Sequence, residues 1–349
     1  MTGRANDDMR ERWMLGMSER TRVCVVGLGP VGRRCAVMAL ERSELEIVAA
    51  ADIDPAMQGR DLGDVLGTGK IGVEVSATLD EALKGSRKGV AVLCTTSSLE
   101  RAADQIRACV QAGWHVVSTC EELAYPWNTA PQLSATIDAW ASKASCSVLG
   151  TGVNPGFVMD ALPAFLTGAC QRVDTVLVER FQDASVRRLP FQQKIGAGLS
   201  LEVFEQQVIE GKIRHVGFQE SIHMIAAALD VRIDKLQERV LPVIATRSLK
   251  SEFIEILPGM VAGVNQIAQG FSSGKAAVTL NLQAYFGHPQ PQERVLIKGV
   301  PDVEMLIPGG LHGDVVTCAM TLNAVRKMGS ARPGLRTMLD FGLPSGRFS

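Results

Sequence analysis

The 349-residue sequence has few aromatic residues, few histidines and no surplus of charge of either sign. Phe, Trp and Tyr make up 5% of it, five residues are histidine, and 36 basic residues face 37 acidic ones, for a formal net charge of -1. A chain balanced in this way lacks the basic surplus that binds polyanions, so we expect no nucleic-acid partner. It also lacks the roughly 18 uninterrupted apolar residues of a membrane helix, so we expect no membrane partner.

Paired metal ligands and paired cysteines are absent too. The eight cysteines are scattered without a C-x-x-C pair, and no histidine stands at ligand spacing from another His, Cys or acid. We therefore predict no metal and reduced thiols, and with no secretory segment visible we predict a cytoplasmic protein. Residues 1–20 are charged and have no strand alternation, which predicts a disordered tail.

From residue 21 onward, short apolar strands alternate with helical runs. This pattern predicts an α/β protein that opens with a Rossmann-type doubly wound parallel sheet over residues 21–155. Beyond it, alternating stretches such as Thr175–Phe181, Ser251–Leu257, Ala276–Phe286 and Arg294–Lys298 predict a second α+β domain with a mixed, largely antiparallel sheet. We assign residues 156–310 to this substrate and dimerisation domain. Residues 311–349 are predicted to form a C-terminal helix and tail that pack back toward the first domain.

A glycine motif follows the first predicted strand and opens a helix. It reads Gly27-Leu28-Gly29-Pro30-Val31-Gly32, and Asp52 stands 20 positions after its last residue, at the end of the next strand. This arrangement is typical of a dinucleotide site, in which the glycines allow a tight turn, a close approach to the pyrophosphate and close helix packing. Asp52 suits ribose hydroxyls and favours NAD(H), whereas the nearby Arg60 leaves NADP(H) open.

Polar residues follow two further strands of the predicted sheet. Thr95, Thr96 and Ser97 come after the strand that ends at Cys94, where hydroxyl groups can line the nicotinamide side of a cofactor. A helix N-cap by Ser97 or Ser98 is an equally good reading.

The second polar group includes Cys120, Glu121 and Glu122, directly after the strand His115–Ser118. The sheet topology places this segment near the reacting carbon, and either glutamate is a candidate general acid/base. Alternatively, both glutamates simply stabilise a helix N-terminus.

Two glycine-rich loops complete the candidate set. The loop of residues 150–156 contains Thr151 and Asn154 and is interpreted as an interdomain hinge close to a ligand, or as a plain connecting turn. His312 lies in the second loop, before the last helix, and Asp314 is the expected N-cap there.

Several ordered segments resemble one family. They are VGLGPVG, ADIDP with GRDLG, STCEELAYPW, GTGVNPGFVMD, RRLPFQQKIGAG, HVGFQES and GGLHGDVVTCAMTLNAV. Together they resemble the 2,4-diaminopentanoate dehydrogenases and the related native amine dehydrogenases, whose N-terminal domain is similar to that of dihydrodipicolinate reductase. The HHxxK-type segment of a true dihydrodipicolinate reductase is missing.

The resemblance implies a homodimeric NAD(P)-dependent amine dehydrogenase. Such an enzyme oxidatively deaminates a primary amine or diamino acid, and in reverse aminates a ketone or aldehyde with ammonia through an imine. The resemblance also implies a glutamate acid/base, for which we take Glu122 first and Glu121 second, and it places Thr151, Asn154 and His312 on the substrate side. Cys120 and Asn154 are expected at the cofactor. Arg187, Arg188 and Lys194 are candidate anchors for a substrate carboxylate, although their RRLPFQQKIGAG segment is alternatively a structural or interface segment.

Two other functions stay open at this stage. One is an imine or carbonyl reductase that uses no free ammonia. The other is a non-catalytic dinucleotide-sensing protein that keeps only the binding fold.

Overall fold

The computed structural model describes residues 20–85, 88–342 and 344–346, so the predicted tail lies outside the described residues except for Arg20. The strands are β1 Thr21–Val26, β2 Leu45–Ala51, β3 Val75–Ser76, β4 Val90–Leu93, β5 His115–Ser118, β6 Ser147–Gly150, β7 Arg172–Asp183, β8 Lys235–Ile244, β9 Leu249–Lys250, β10 Glu255–Ile256, β11 Val261–Ser272, β12 Lys275–Tyr285, β13 Gln292–Val300, β14 Val303–Pro308 and β15 Gly334–Arg336.

The helices are α1 Pro30–Leu40, α2 Leu62–Leu66, α3 Leu79–Leu83, α4 Leu99–Gln111, α5 Pro131–Lys143, α6 Ala161–Thr167, α7 Leu189–Lys194, α8 Leu201–Ile209, α9 Phe218–Ala228, α10 Gly313–Met328 and α11 Met338–Phe341. Two 3-10 turns lie at Glu121–Leu123 and Ala184–Val186.

The first sheet has seven strands in the order β15-β6-β5-β4-β1-β2-β3, all parallel. Its central strands are mostly apolar because helices cover both faces: α1 and α10 pack on one face, and α4 and α5 on the other. The predicted Rossmann-type sheet is thus confirmed. The C-terminal strand β15 pairs with β6, so the end of the chain completes the first sheet.

The second sheet has six strands in the order β14-β13-β7-β12-β11-β8. Only β7 and β12 run parallel, and the other neighbours are antiparallel, which confirms the predicted mixed sheet. Side chains alternate between a buried face, partly covered by α9, and an opposite face whose residues stay half-exposed.

The strand predicted over Ser251–Leu257 is wrong. This segment contains only β10, which forms a two-stranded ladder with β9. Conversely, β8, β11 and β14 were not predicted, although they form half of the second sheet.

Within the described residues, no helix has the length and apolar character needed to cross a membrane. The same residues contain no group of three or more His, Cys, Asp or Glu side chains placed to hold a metal ion.

Candidate functional site

A cavity of about 380 Å³ lies where the carboxyl ends of the first sheet face the buried side of the second sheet. The first sheet contributes Val31, Cys94, Thr95, Thr96, Ser97, Thr119 and Glu121, the loop after β6 contributes Gly152, Val153, Asn154 and Pro155, and the second sheet contributes Arg180, Gln182, Val264 and Leu282. A ligand is expected at this edge of a doubly wound sheet.

The glycine turn between β1 and α1 has the geometry of a phosphate cradle. Gly27 has φ +85°, and a Cβ there would lie 2.8 Å from the carbonyl oxygen of Cys94. A Cβ on Gly32 would lie 1.7 Å from the carbonyl oxygen of Gly27, whereas one on Gly29 would meet nothing within 4 Å. The backbone at Gly29 is therefore open to a ligand at the N-terminus of α1, where Pro30 occupies the first turn.

Asp52 lies beside this turn, as predicted from its spacing. Its carboxylate accepts hydrogen bonds from the backbone N–H of Leu28 and, at 2.8 Å, from that of Asp54. The Leu28 side chain is fully buried, so Leu28 contributes to the turn through its backbone. Arg60 is exposed and donates to the carbonyl of Ala56 at 3.3 Å. These residues fit a dinucleotide whose ribose meets Asp52.

Ile53 was missed by the sequence analysis. Its side chain is 89% exposed, directly after Asp52 at the end of β2. An apolar residue left in water beside a nucleotide site is suited to pack against an aromatic base.

Thr95, Thr96 and Ser97 line the cavity at the end of β4. Thr95 donates its hydroxyl to the Gln105 side chain at 2.6 Å, and the Thr96 hydroxyl accepts from the Ser98 N–H at 3.2 Å. The N-cap position of α4 is occupied by Ser98, which makes no side-chain hydrogen bond there. Neither Ser97 nor Ser98 therefore caps the helix with its side chain.

The two adjacent glutamates point into different cavities. Glu121 lines the main cavity. Glu122 lines a second cavity of about 230 Å³, and its carboxylate accepts from the Leu99 N–H at 2.8 Å, which supplies the missing cap of α4. Both lie on a tight 3-10 turn, where successive side chains diverge by about 120°. The structure therefore brings Glu121, and not the preferred Glu122, to the main cavity.

The second cavity is acidic. Besides Glu122 it is lined by Glu220 and Glu238, and Glu220 is 5% exposed. Burial, together with the charges of Glu122 and Glu238, raises the pKa of Glu220 to about 7. Glu238 accepts a hydrogen bond from Gln266 at 2.6 Å.

Cys120 and Thr151 are not brought to the cavity, contrary to their predicted roles. The Cys120 thiol is buried, donates to the Ser97 carbonyl at 3.2 Å, and has a pKa that burial raises to about 12. The Thr151 hydroxyl is 2% exposed and contacts the sulfur of Met338 at 3.3 Å. Both side chains are turned into the core around the ends of β5 and β6.

Asn154 does reach the cavity, from the loop that follows β6. The loop contains a cis Asn154–Pro155 peptide and is held by the buried Asp160, which accepts from the Gly156 N–H at 2.8 Å and from the Ser221 hydroxyl at 2.7 Å. The Asn154 amide nitrogen lies 3.0 Å from the sulfur of Met159.

His312 lies beyond the cavity lining and is the N-cap residue of α10, the position predicted for Asp314. Burial and the charge of Arg187 lower the pKa of His312. Asp314 lies in the first turn and accepts from Arg187 at 3.4 Å and from Arg188 at 3.1 Å.

Basic side chains dominate the far wall of the cavity. Arg180, Arg187, Arg188, Lys194 and Arg214 line it, against the acids Glu121 and Asp314. Arg180 was missed by the sequence analysis, although an arginine at an inward position of an apolar strand is a recognisable signal.

Two of these arginines are almost fully buried. Arg180 is 2% exposed, lies 3.2 Å from the buried Glu293 carboxylate and donates to the Leu311 carbonyl at 3.1 Å. Arg187 is 7% exposed, donates to Gln182 at 2.8 Å and lies over the ring of Phe191 at 4.2 Å.

Three buried polar atoms of residues that line this cavity have no hydrogen-bond partner among the described residues: Asn154 Oδ1, Arg187 Nε and His215 Nδ1. Arg180 Nη1 makes no hydrogen bond of good geometry either, but it is ion-paired with the Glu293 carboxylate at 3.2 Å. Buried groups of this kind are costly unless a ligand satisfies them. Burial and the charges of Lys194 and Arg180 lower the pKa of His215 to about 3, so its ring is neutral near pH 7.

Comparisons with known proteins find family models that match both parts of the chain. A model of the dihydrodipicolinate reductase N-terminus matches residues 21–120, and one of the 2,4-diaminopentanoate dehydrogenase C-terminal domain matches residues 157–348. A 2,4-diaminopentanoate dehydrogenase of Acetoanaerobium sticklandii is 32% identical over 340 residues, which cover 93% of this chain and 94% of the relative.

Two amine dehydrogenases are also similar. One from Streptomyces virginiae is 26% identical, over 91% of this chain and 95% of that protein. The solved structure of one from Mycobacterium smegmatis matches with a TM-score of 0.83 and 26% identity, covering 94% of this chain and 97% of that chain.

Proposed function

The chain belongs to the 2,4-diaminopentanoate dehydrogenase family, and from that premise we propose that it oxidises the primary amine of a substrate that also carries a carboxylate, the class that includes diamino acids. The products are the keto compound and ammonia, and the reverse reaction is the reductive amination of that compound. The observation that carries this proposal is a set of unsatisfied buried atoms in residues around one cavity, namely a guanidinium donor of Arg187, an amide oxygen and a neutral imidazole nitrogen, next to the buried Arg180.

The substrate carboxylate is assigned to Arg180 and Arg187. Arg187 keeps its orientation through Gln182 and Asp314, and its buried Nε has no hydrogen-bond partner among the described residues. Arg180 lies beside it in the cavity lining, paired through Nη1 with Glu293. Guanidinium groups bind carboxylates with strong, directional hydrogen bonds, so a bound carboxylate would satisfy the free Arg187 donor and add to the positive charge balance around Arg180.

The amine is assigned to the opposite side of the cavity, near Asn154 and Glu121. The Asn154 oxygen can accept a hydrogen bond from the amine, and the Glu121 carboxylate can take a proton from its ammonium form. After that proton has passed to solvent, Glu121 acts as a general base on the water that attacks the imine carbon. It then returns this proton to the carbinolamine nitrogen, and the C–N bond breaks to release ammonia. When NAD⁺ is bound, its nicotinamide supplies the hydride acceptor for the carbon that bears the amine.

NAD(H) is proposed over NADP(H). The Asp52 carboxylate lies at the glycine turn, where it suits two ribose hydroxyls and repels a 2′-phosphate. Arg60 is exposed and bonded to the Ala56 carbonyl, whereas the Arg33 guanidinium is held against the turn by the Leu28 carbonyl at 2.9 Å.

Substrate-dependent formation of reduced cofactor tests the proposal. Diamino and monoamino acids are compared with amines of the same length in which a methyl group replaces the carboxylate. We expect turnover of the carboxylate-bearing substrates and, in Arg187→Gln, a rise in their KM of about 10- to 100-fold, the effect of losing a hydrogen bond to a charged group. Carboxylate-free amines should be little affected by this substitution.

Arg172→Gln is the matched control, because Arg172 is an exposed arginine paired with Asp174 at the far end of β7. The proposed substrate class is wrong if carboxylate-free amines are turned over as fast as carboxylate-bearing substrates and if Arg187→Gln changes the KM of both kinds of substrate equally. In the reverse direction, cofactor oxidation by the keto compound must require ammonium. Oxidation without ammonium would instead identify a carbonyl reductase.

A further inference from the structure

Three cysteines from distant parts of the chain meet beneath the glycine turn. Cys35 lies in α1, Cys94 directly follows β4, and Cys318 lies in α10. The Cys35 thiol is within hydrogen-bond contact of both other thiols, and the Cys318 sulfur lies 3.6 Å from the carbonyl oxygen of Val31 in the turn itself.

The three thiols differ in access. Cys35 and Cys318 are fully buried, whereas Cys94 is half-buried and lines the main cavity beside the predicted dinucleotide site. A small molecule that enters the cavity can therefore reach Cys94, and Cys35 lies behind it within contact. A reachable thiol backed by a second thiol is the arrangement of an oxidisable pair.

The other cysteines of the described residues lack this arrangement. Cys24, Cys109, Cys120 and Cys146 are buried away from the cavity. Cys170 is half-buried and packs against the apolar core of the second sheet, and its thiol donates to the carbonyl of Pro301 at 3.4 Å.

We propose that Cys94 and Cys35 form a dithiol that hydroperoxides oxidise to a disulfide, and that this disulfide closes the dinucleotide site. The Cys94 thiolate attacks one oxygen of the hydroperoxide: an S–O bond forms, the O–O bond breaks, and an alcohol, or water from hydrogen peroxide, leaves with a solvent proton. The Cys35 thiol then attacks the sulfenic sulfur, the S–S bond forms, and the S–O bond breaks to release water. Two thiols lose two electrons in total, and one hydroperoxide gains them.

The disulfide affects the cofactor site because the glycine turn is packed too closely against its neighbours to stay in place when they move. A disulfide holds two sulfurs about 2.05 Å apart, closer than two thiols in hydrogen-bond contact, so we expect its formation to draw α1 and the end of β4 together. Gly32, one helical turn before Cys35, is already so close to Gly27 that not even a methyl group fits between them, and a Cβ on it would lie 3.4 Å from the Cys94 Cβ. The required movement therefore displaces the turn. A bound dinucleotide, in return, shields Cys94.

The test uses the full-length protein, treated with hydrogen peroxide with and without NADH. Mass mapping of unreduced peptides should find the Cys35–Cys94 cross-link, and the Kd for NADH should rise at least about tenfold and recover after dithiothreitol. NADH present during treatment should suppress the cross-link. Cys35→Ser should form no disulfide and lose the reversible part of the effect, whereas Cys170→Ser should behave like the parent protein.

Alkylation of Cys94 in the untreated protein, with and without NADH, is a second measurement that does not depend on Cys35→Ser folding. The proposal is overturned if Cys94 stays free after oxidation, if the cross-link joins Cys35 to Cys318, or if the cross-linked protein binds NADH normally. It rests on the proposed function only in that a dinucleotide occupies the glycine turn. Because the readouts are cross-linking and NADH binding, they stay interpretable even if no amine is turned over.

Discussion

Glu121 and Glu122 are neighbours in the chain, yet their carboxylates act in different parts of the molecule. The Glu122 carboxylate accepts the first free N–H of α4, an interaction that the positive end of the helix dipole strengthens. Glu121 faces the cavity that the buried arginines and Asn154 also line. Glu122 is thus suited to stability, and Glu121 to chemistry.

Substitution by glutamine should separate these two roles. Glu121→Gln is expected to lower kcat by about 10²- to 10⁴-fold, the range of a lost general acid/base, with little change in melting temperature. Glu122→Gln is expected to keep most of kcat and to lose about 1 kcal/mol of stability, as for a weakened helix cap. Single-turnover kinetics and thermal unfolding of both variants measure this. A large loss of kcat in Glu122→Gln, with kcat nearly unchanged in Glu121→Gln, would instead assign the catalytic role to Glu122.

Asp52 should set the preference for the cofactor. Asp52→Ala removes both the acceptor for ribose hydroxyls and the repulsion of a 2′-phosphate, so the ratio of kcat/KM for NAD⁺ to that for NADP⁺ should fall at least about tenfold. Asp54→Ala is the control, because the Asp54 carboxylate is exposed and accepts only from the Ala56 N–H among the described residues. An unchanged ratio in Asp52→Ala would show that another residue discriminates.

At the level of single residues, the sequence predicted positions along the chain better than directions of side chains. The glycine turn, Asp52 and Thr95–Ser97 lie where the strand pattern puts them, because the ends of parallel strands meet at one edge. Cys120 lies in the expected segment but points into the core, since the direction depends on the 3-10 turn that follows. Arg180 was missed because its burial depends on a pairing with Glu293, 113 positions away.

At the scale of an element, two glycines of the turn between β1 and α1 can be substituted to separate cofactor binding from stability. Gly29 has φ -66° and free space around it, so Gly29→Ala should leave the melting temperature nearly unchanged and weaken NADH binding at least about tenfold, because the methyl group occupies the space of the phosphates. In Gly32→Ala the methyl group collides with the Gly27 carbonyl, so several kcal/mol of stability should be lost.

Thermal unfolding together with NADH titration measures both variants. Normal NADH binding by Gly29→Ala would mean that no phosphate approaches the turn at this point. A stable Gly32→Ala variant would mean that α1 can shift away from β1.

Whole elements were predicted well where hydrophobic periodicity is strong. Five strands of the first sheet, β1, β2, β4, β5 and β6, are short, mostly apolar runs and were predicted, because burial on both faces leaves little place for polar residues. The two edge strands β3 and β15 have two and three residues and were not predicted. In the second sheet, β8 is an edge strand with charged residues and Pro242, and β11 contains Gly263 and Gly270. Such strands form through pairing with their neighbours, and their own sequences carry little strand signal.

At the scale of the whole molecule, the candidate site belongs to neither sheet alone. The first sheet provides the glycine turn and Glu121, and the second provides Arg180 and the segment that carries Arg187. The family match spans both parts. Any movement of one part relative to the other would therefore change the distance between Glu121 and the two arginines.

The half-exposed face of the second sheet should hold two copies of the chain together. Six strands about 4.8 Å apart, each with four outward residues, present roughly 700 Å² of sheet face, close to the 800 Å² that each partner of a stable dimer contributes. Outward Leu177, Ile267 and Leu296 are apolar, and the side-chain oxygens of Asn265 and Asn281 on the same face have no hydrogen-bond partner among the described residues. We therefore predict a homodimer in which these two sheets stack.

Leu177 lies on β7, one of the two central strands of the sheet, so Leu177→Arg would bury an unpaired charge in the middle of that interface. Light scattering should find twice the 37.4 kDa chain mass for the parent protein and the single mass for Leu177→Arg. Ile209→Arg, at an 80% exposed position on α8, should remain dimeric. If Leu177→Arg stays dimeric while Ile209→Arg dissociates, the interface lies at α8; if the parent protein is a monomer, the sheet face is open in solution, and its apolar residues have another role.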